Sequence, residues 1–271
     1  MDILNIIYNY STNNKILDID AIKEICTLII NNKHLNNNLS FITDINKSRL
    51  DKYVLGEYDM ENTVYIYYNQ IYSFLNSKIF KKKYLDKDNL TNTEITMLKN
   101  LHIIETILHE LEHFYQTNKV KDNLDNSFEK ILYQYEYNFM FPNINFNNIF
   151  KFYFDIIKNF YLTHATYDIS FMERMANINS KEQIIIILKK YNNEFNNVCH
   201  LKKKHLEQYK LNNYLKNIDG PTNIFLYKIG ALPDFIKNNY DELVNSMSLK
   251  ERYRYGFDLT DREFKKKIRI I

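Results

Sequence analysis

Residues 91–118 read TNTEITMLKNLHIIETILHELEHFYQTN, and the architecture of the protein depends on how this segment folds. Thr and Asn at its start are residues that cap helices. Apolar side chains then recur three or four positions apart, which is the spacing of one helical face. The pattern predicts a long helix whose apolar face carries Ile95, Leu98, Leu101, Ile104, Leu108 and Leu111.

A polar stripe follows a different face of this predicted helix, made of His102, Glu105, Thr106, His109, His113 and Gln116. Within it, residues 109–113 read HELEH. Histidines at i and i+4 of a helix point to the same side, so both imidazoles can bind one metal ion. Glu110 is turned aside from such an ion but can reach a water molecule on it, which suits a general base. The motif predicts a zinc site, and the competing interpretation is a histidine pair on an ordinary helix.

A catalytic zinc ion needs a third protein ligand, which must come from a second segment. The extension that would place a third histidine six residues after the motif is absent. A helix-like segment downstream, YLTHATYDISFMERMANIN at 161–179, offers three candidates. From the residues alone, the third ligand can be His164, Asp168 or Glu173.

Glu110 and His113 also form an ExxH unit, which di-iron helical bundles use in pairs. No other histidine of the chain has a glutamate three residues before it. The chain also has only four glycines, and no Gly-rich phosphate loop. These observations disfavour a di-iron centre and a nucleotide site.

The two motifs HELEH and ERMAN, about sixty residues apart, resemble those of the gluzincins, zinc metallopeptidases whose third ligand is a glutamate. The resemblance implies that Glu173 is the third ligand and that Ala176 is the small residue three positions on. Asn177 stands where the family has an aspartate that orients the first histidine. Its side-chain oxygen can still accept from the ring N–H of His109 but carries no charge, and this departure affects metal affinity rather than ligand identity.

The segment before the HExxH helix supports the same resemblance. Residues 53–69 read YVLGEYDMENTVYIYYN, two aromatic and β-branched runs around a polar turn, which predicts a β-hairpin with Val64–Tyr68 as the better strand. LGEY and VYIYY resemble the strand that borders the active-site cleft in small intracellular zincins of phages and mobile elements, related to the ImmA/IrrE group. The resemblance implies that an extended substrate pairs with this edge strand. Tyr167 and Tyr161, near the presumed third ligand, are the candidates for donating to the oxyanion.

The composition predicts an α+β protein that is predominantly helical. Few glycines and prolines and 25% charged residues favour long helices. We expect a zincin-like part at 1–120, with a small sheet and the HExxH helix, and a helical part at 121–271 that supplies the third ligand. Apolar periodicity predicts further helices at 18–32, 127–140, 146–162, 165–178, 181–196, 198–217 and 234–247.

The sequence also limits where the protein acts and what it binds. A net charge of +3 is too small to predict nucleic-acid binding. No signal peptide is visible, and the longest apolar run, Ile184–Leu188, is too short to cross a bilayer. Cys26 and Cys199 cannot form a disulfide framework. We therefore expect a cytoplasmic protein without a membrane or nucleic-acid partner, and its oligomeric state is not determined by the sequence.

The motifs and the resemblance together predict a zinc-dependent metallopeptidase that hydrolyses a peptide bond in an intracellular protein or peptide. Zn²⁺ is expected at His109, His113 and Glu173, with Glu110 as general base and Tyr167 as oxyanion donor. The alternative is a non-catalytic binding or regulatory protein on a zincin scaffold, in which zinc is structural or absent.

Overall fold

A computed structural model describes residues 3–32, 39–43, 54–59, 62–85, 90–121, 127–140, 171–194 and 238–255. Helices make up 79% of these residues, and one small sheet accompanies them. The prediction of an α+β, predominantly helical protein is therefore confirmed. Among the described helices, none combines the length and the apolar character that crossing a bilayer requires.

The described elements are, in chain order, α1 (Ile3–Thr12), α2 (Ile19–Asn32), β1 (Ser40–Thr43), β2 (Gly56–Tyr58), β3 (Thr63–Ile66), α3 (Tyr68–Leu75), α4 (Lys78–Phe80), α5 (Asn92–Lys121), α6 (Phe128–Met140), α7 (Phe171–Glu194), α8 (Tyr240–Ser246) and α9 (Leu249–Tyr255). A π-helical turn at Lys81–Leu85 directly follows α4.

The chain forms two compact units, each built from two separate segments. The first unit contains Met1–Phe114 and Asn179–Lys210, and the second contains Tyr115–Ile178 and Leu211–Ile271. Each unit has a hydrophobic core of its own: α1, α2, β3 and most of α5 contribute to the first, and α6, α8 and the start of α7 to the second. The functional division at residue 120 stays a prediction.

Helix α5 begins with a capping box at Thr91 and Glu94. The backbone N–H of Thr91 donates to Glu94 Oε2 at 2.8 Å, and the N–H of Glu94 donates to Thr91 Oγ1 at 3.2 Å. These two bonds satisfy N–H groups that have no partner inside the first turn. The predicted helix at 91–118 is confirmed, and it continues to Lys121.

The polar side of α5 is buried as deeply as its apolar side. Between Thr96 and Thr117 only Tyr115 is exposed. The residues of the predicted polar stripe are therefore themselves buried or partly buried. A helix can be buried all round when its polar side chains find partners in other elements. Asn100 is an example: its Oδ1 accepts the N–H of Leu17 at 2.9 Å and its Nδ2 donates to Ser11 Oγ at 3.0 Å.

The sheet has three strands in the order β1-β3-β2. Strand β3 pairs with β1 in parallel and with β2 in antiparallel orientation. The predicted hairpin is thus confirmed, and Asp59 stabilises its turn, since Asp59 Oδ1 accepts the N–H groups of Asn62 at 3.1 Å and Thr63 at 2.8 Å. Assigning the edge strand to Val64–Tyr68 was wrong, because β3 is paired on both sides and Tyr68 already begins α3.

Helix α7 is one continuous helix, whereas the sequence predicted two helices separated near residue 180. Asn179 and Ser180 are weak helix formers, which suggested a break. Tertiary contacts override this preference: Ser180 is fully buried, and Asn179 Nδ2 donates to Glu112 Oε1 at 2.6 Å. The helix predicted at 127–140 is confirmed, and Tyr240–Ser246 is helical within 234–247. The predicted helices at 146–162 and 198–217 lie outside the described residues.

Candidate metal centre

His109 and His113 lie on successive turns of α5, and their rings meet at nearly a right angle. The two Nε2 atoms are 3.2 Å apart, and the interplanar angle is 88°. Two nitrogens that each lie about 2.05 Å from a tetrahedral zinc ion are about 3.3 Å apart. The nitrogen separation of the histidine pair is therefore compatible with a shared tetrahedral ion, and it is also the length of a hydrogen bond between the two rings.

Glu173, in the first turn of α7, is the third member of a group that could hold a metal ion. One ligand atom from each of His109, His113 and Glu173 lies within 4.8 Å of the other two. His113 is buried, and the other two side chains are partly buried. The three residues could hold a metal ion, and two imidazoles with one carboxylate are a donor set that suits zinc. Other divalent transition metals accept the same donors, so the geometry alone does not identify the ion.

Four residues that the sequence singled out lie outside the described residues: Tyr161, His164, Tyr167 and Asp168. The oxyanion role of Tyr167 therefore stays a prediction. The same holds for His164 and Asp168 as rivals of Glu173 for the third ligand position. Of the three alternatives, Glu173 is the one that lies among the described residues.

Asn177 makes a bond within its own helix. Its amide nitrogen Nδ2 donates to the carbonyl oxygen of Glu173 at 3.0 Å. This bond uses the donor end of the amide, whereas the predicted contact with His109 requires the acceptor end, Oδ1. The orienting role of Asn177 thus stays a prediction. It concerns the side-chain oxygen Oδ1, whereas the observed bond uses the nitrogen Nδ2.

Strand β2 approaches α5 at the HExxH motif through two of its residues. A side chain on Gly56 would meet Glu110, because a Cβ placed there would lie 2.7 Å from Glu110 Cγ. Two residues on, the rings of Tyr58 and Phe114 pack edge to face with centroids 5.9 Å apart. Alternate residues of a strand, such as Gly56 and Tyr58, are about 6.7 Å apart along the strand. Residues i and i+4 of a helix, such as Glu110 and Phe114, are about 6 Å apart along its axis, so the two contacts have matching spacings. Glu110 itself is buried, at 7% exposure.

Two carboxylates of α5 that the motif does not explain pair with α7 in the first unit. Glu105 forms a salt bridge with Lys181, and Glu112 accepts the bond from Asn179. In the second unit, Gln116 Nε2 donates to the carbonyl oxygen of Met172 at 2.9 Å. Sequence reasoning missed these partners, and the only signal was the position of Glu105 and Glu112 two turns apart on one side of a helix.

Glu105 belongs to a buried charged network in the first unit. Its Oε2 lies 3.3 Å from His102 Nδ1, and its Oε1 contacts Lys181 Nζ. Burial alone would raise the pKa of the Glu105 carboxyl, but the charge of Lys181 and the hydrogen bond with His102 outweigh it and hold that pKa well below its usual range. The carboxylate therefore stays charged inside the protein.

Lys181→Met should lower the free energy of unfolding by about 3 kcal/mol at pH 7, because Glu105 then remains a buried charge with His102 as its main polar neighbour. The loss should shrink as the pH falls below about 5. In the wild type, the depressed pKa of Glu105 contributes stability above the unfolded pKa of about 4.3, and this contribution disappears toward acid. In the variant, burial favours the protonated form, so acid relieves the penalty.

Urea unfolding at a series of pH values measures both effects. Lys189→Met is the matched control, since Lys189 is an exposed lysine on the same helix. A loss that is the same at pH 4 and pH 7, or equal in both variants, would show that the Glu105–Lys181 pair does not stabilise the fold.

No family model matches this chain, and comparison with curated proteins and with solved structures gave no significant match. The gluzincin resemblance accordingly rests on the residues of its two motifs. A function can still be argued from the site, because chemistry depends on the arrangement of donors and bases rather than on the fold around them.

Proposed function

We propose that this protein is a zinc-dependent metallopeptidase that acts on cytoplasmic proteins or peptides. One observation carries the proposal: a helix presents two histidine Nε2 atoms 3.2 Å apart, with the carboxylate of Glu173 in the same cluster. Glu110 adjoins His109 in the same turn of the helix, where a general base is needed.

His109 Nε2, His113 Nε2 and a carboxylate oxygen of Glu173 would hold the ion. The donor chemistry fits zinc, since neutral imidazole is its usual nitrogen ligand and carboxylate is its usual oxygen ligand. When bound, zinc polarises a substrate carbonyl and lowers the pKa of a water molecule to about 7. Three protein ligands leave a position for water and substrate, as catalytic rather than structural sites require.

Glu110 supplies the proton transfers. Its side chain points about 100° round the helix from His109, so it lies beside the ligand set without belonging to it. The carboxylate accepts a proton from the attacking water and delivers it to the amide nitrogen that leaves, after which the peptide bond breaks and Glu110 is again ionised. A carboxylate is suited to both steps because its two oxygens can accept and release the same proton.

The outer edge of β2 is the best place for an extended substrate. Within the described residues, β2 pairs with β3 only. A peptide added to the other edge would run past Gly56, and Gly56 adjoins Glu110. Such pairing uses main-chain hydrogen bonds, which recognise an extended peptide with limited dependence on its side chains. Strand β2 therefore replaces β3 as the proposed substrate strand.

Protein purified without added metal should contain about one equivalent of zinc per chain, because three protein ligands bind zinc tightly at neutral pH. Inductively coupled plasma mass spectrometry on chelator-free protein measures this directly. The same preparation should cleave peptides in a mixed cytosolic peptide library, and removal of zinc should stop cleavage. Two irons per chain, or no transition metal after growth in zinc-replete medium, would contradict the proposal.

A further inference from the structure

Gly56 is the point of closest approach between the sheet and the HExxH motif. A Cβ on this residue would lie 2.7 Å from Glu110 Cγ, 3.0 Å from Oε1 and 3.1 Å from Cδ. All three contacts are with the same side chain. Separations of this kind are too short for carbon and oxygen atoms in van der Waals contact, which stand about 3.5 Å apart or more.

Gly56 is the first residue of β2, at the end of the strand that is remote from the hairpin turn. Gly56 pairs with Ile66 in a regular antiparallel ladder, and it is not at the turn of the hairpin. Glycine inside a strand is unfavourable because it loses much backbone freedom and packs no side chain. Glycine at such a position often marks the close approach of another group, and here that group is the carboxylate arm of Glu110.

We propose that Gly56 is a positioning residue for Glu110. The missing side chain on β2 leaves the space in which the Glu110 carboxylate lies, between the strand and helix α5. Its effect on hydrolysis rests on the proposed peptidase function, whereas the steric relation between the two residues does not.

The contact with Cγ determines what a side chain at position 56 would do. Turning the carboxylate about its last bond relieves a contact with Oε1 but leaves Cγ in place. Glu110 must therefore change its rotamer at the start of the side chain, or β2 must move away from α5. The first response takes the carboxylate out of its present position, and the second removes β2 from the carboxylate. Either response separates Glu110 from the strand, and neither changes the three proposed metal ligands.

Gly56→Ala should consequently keep zinc and lose activity. We expect zinc content to stay at the wild-type level and kcat to fall about 100-fold, since a displacement of about 1 Å of a reacting group costs this much. KM should change far less than kcat, because the substrate strand keeps its main-chain hydrogen bonds. A merely destabilising substitution would reduce the amount of folded enzyme but not the kcat of the folded fraction.

A double-mutant cycle on stability tests the contact without any assay of hydrolysis. Gly56→Ala should lower the folding equilibrium constant about five- to hundredfold in the wild type, as overpacking does. In the Glu110→Ala background the same substitution should be neutral or stabilising, because Cγ is gone and alanine restricts the unfolded chain more than glycine. The Gly56→Ala single variant could be insoluble while the double variant Gly56→Ala/Glu110→Ala folds. That result would be the strongest form of the same coupling between the two positions.

The outcomes separate the two proposals. Coupling in the stability cycle, with a wild type that hydrolyses no peptide, would support the Gly56–Glu110 contact and count against the peptidase. Equal destabilisation in both backgrounds, or a Gly56→Ala variant with wild-type stability and wild-type kcat, would overturn the positioning role.

Discussion

We expect Glu110→Gln to keep zinc and to lower kcat for peptide hydrolysis by about 10²–10⁴-fold, which is the usual contribution of a general base. Glutamine has nearly the same shape as glutamate, so the space between β2 and α5 stays filled. Its amide cannot take up a proton from water at neutral pH. The variant should thus lose the proposed proton acceptor, while His109 and His113 should keep their places.

The measurement compares wild type and Glu110→Gln on one peptide library, with zinc determined in both samples. Glu112→Gln is a matched control, because it makes the same change two residues along the helix and keeps an oxygen for the bond from Asn179. Its kcat should equal that of the wild type. Equal cleavage by the Glu110 variant, or no cleavage by wild type across a broad library, would favour the non-catalytic binding protein instead.

Removing any one of the three proposed ligands should weaken zinc binding by at least about 300-fold. A site of this kind binds zinc with a free energy of about 10 kcal/mol or more. Each substitution removes one of three protein donors and so should cost roughly a third of that free energy. His113→Ala and Glu173→Ala should therefore have effects of similar size. Loss of an orienting residue costs less, about 10–100-fold.

A titration with a competing chelator measures these affinities. His164→Ala and Asp168→Ala serve as controls, since they are the other candidates for the third ligand. Both variants should bind zinc as the wild type does. If His164 or Asp168 proves more important than Glu173, the ligand set is wrong, and only the pair His109 and His113 remains from the present assignment.

Most of the features that the sequence predicts depend on contacts between residues that are close in the chain. The capping box at Thr91 and Glu94, the hairpin turn at Asp59 and the i, i+4 pair of HELEH each depend on contacts within about four residues. Such contacts leave a readable pattern because the geometry of a helix or a turn brings those residues together in any protein. They determined the long helix, the hairpin and the two histidines that face one point.

Contacts between residues far apart in the chain decided the rest. Only the order of the described strands showed that β3 is central and that β2 is at the edge among them, because either strand of a hairpin can pair with a third. The continuity of α7 depended on Asn179 finding Glu112, and the close approach of Gly56 depended on Glu110. Partners separated by more than fifty residues follow no period in the sequence, so tertiary packing alone could select them.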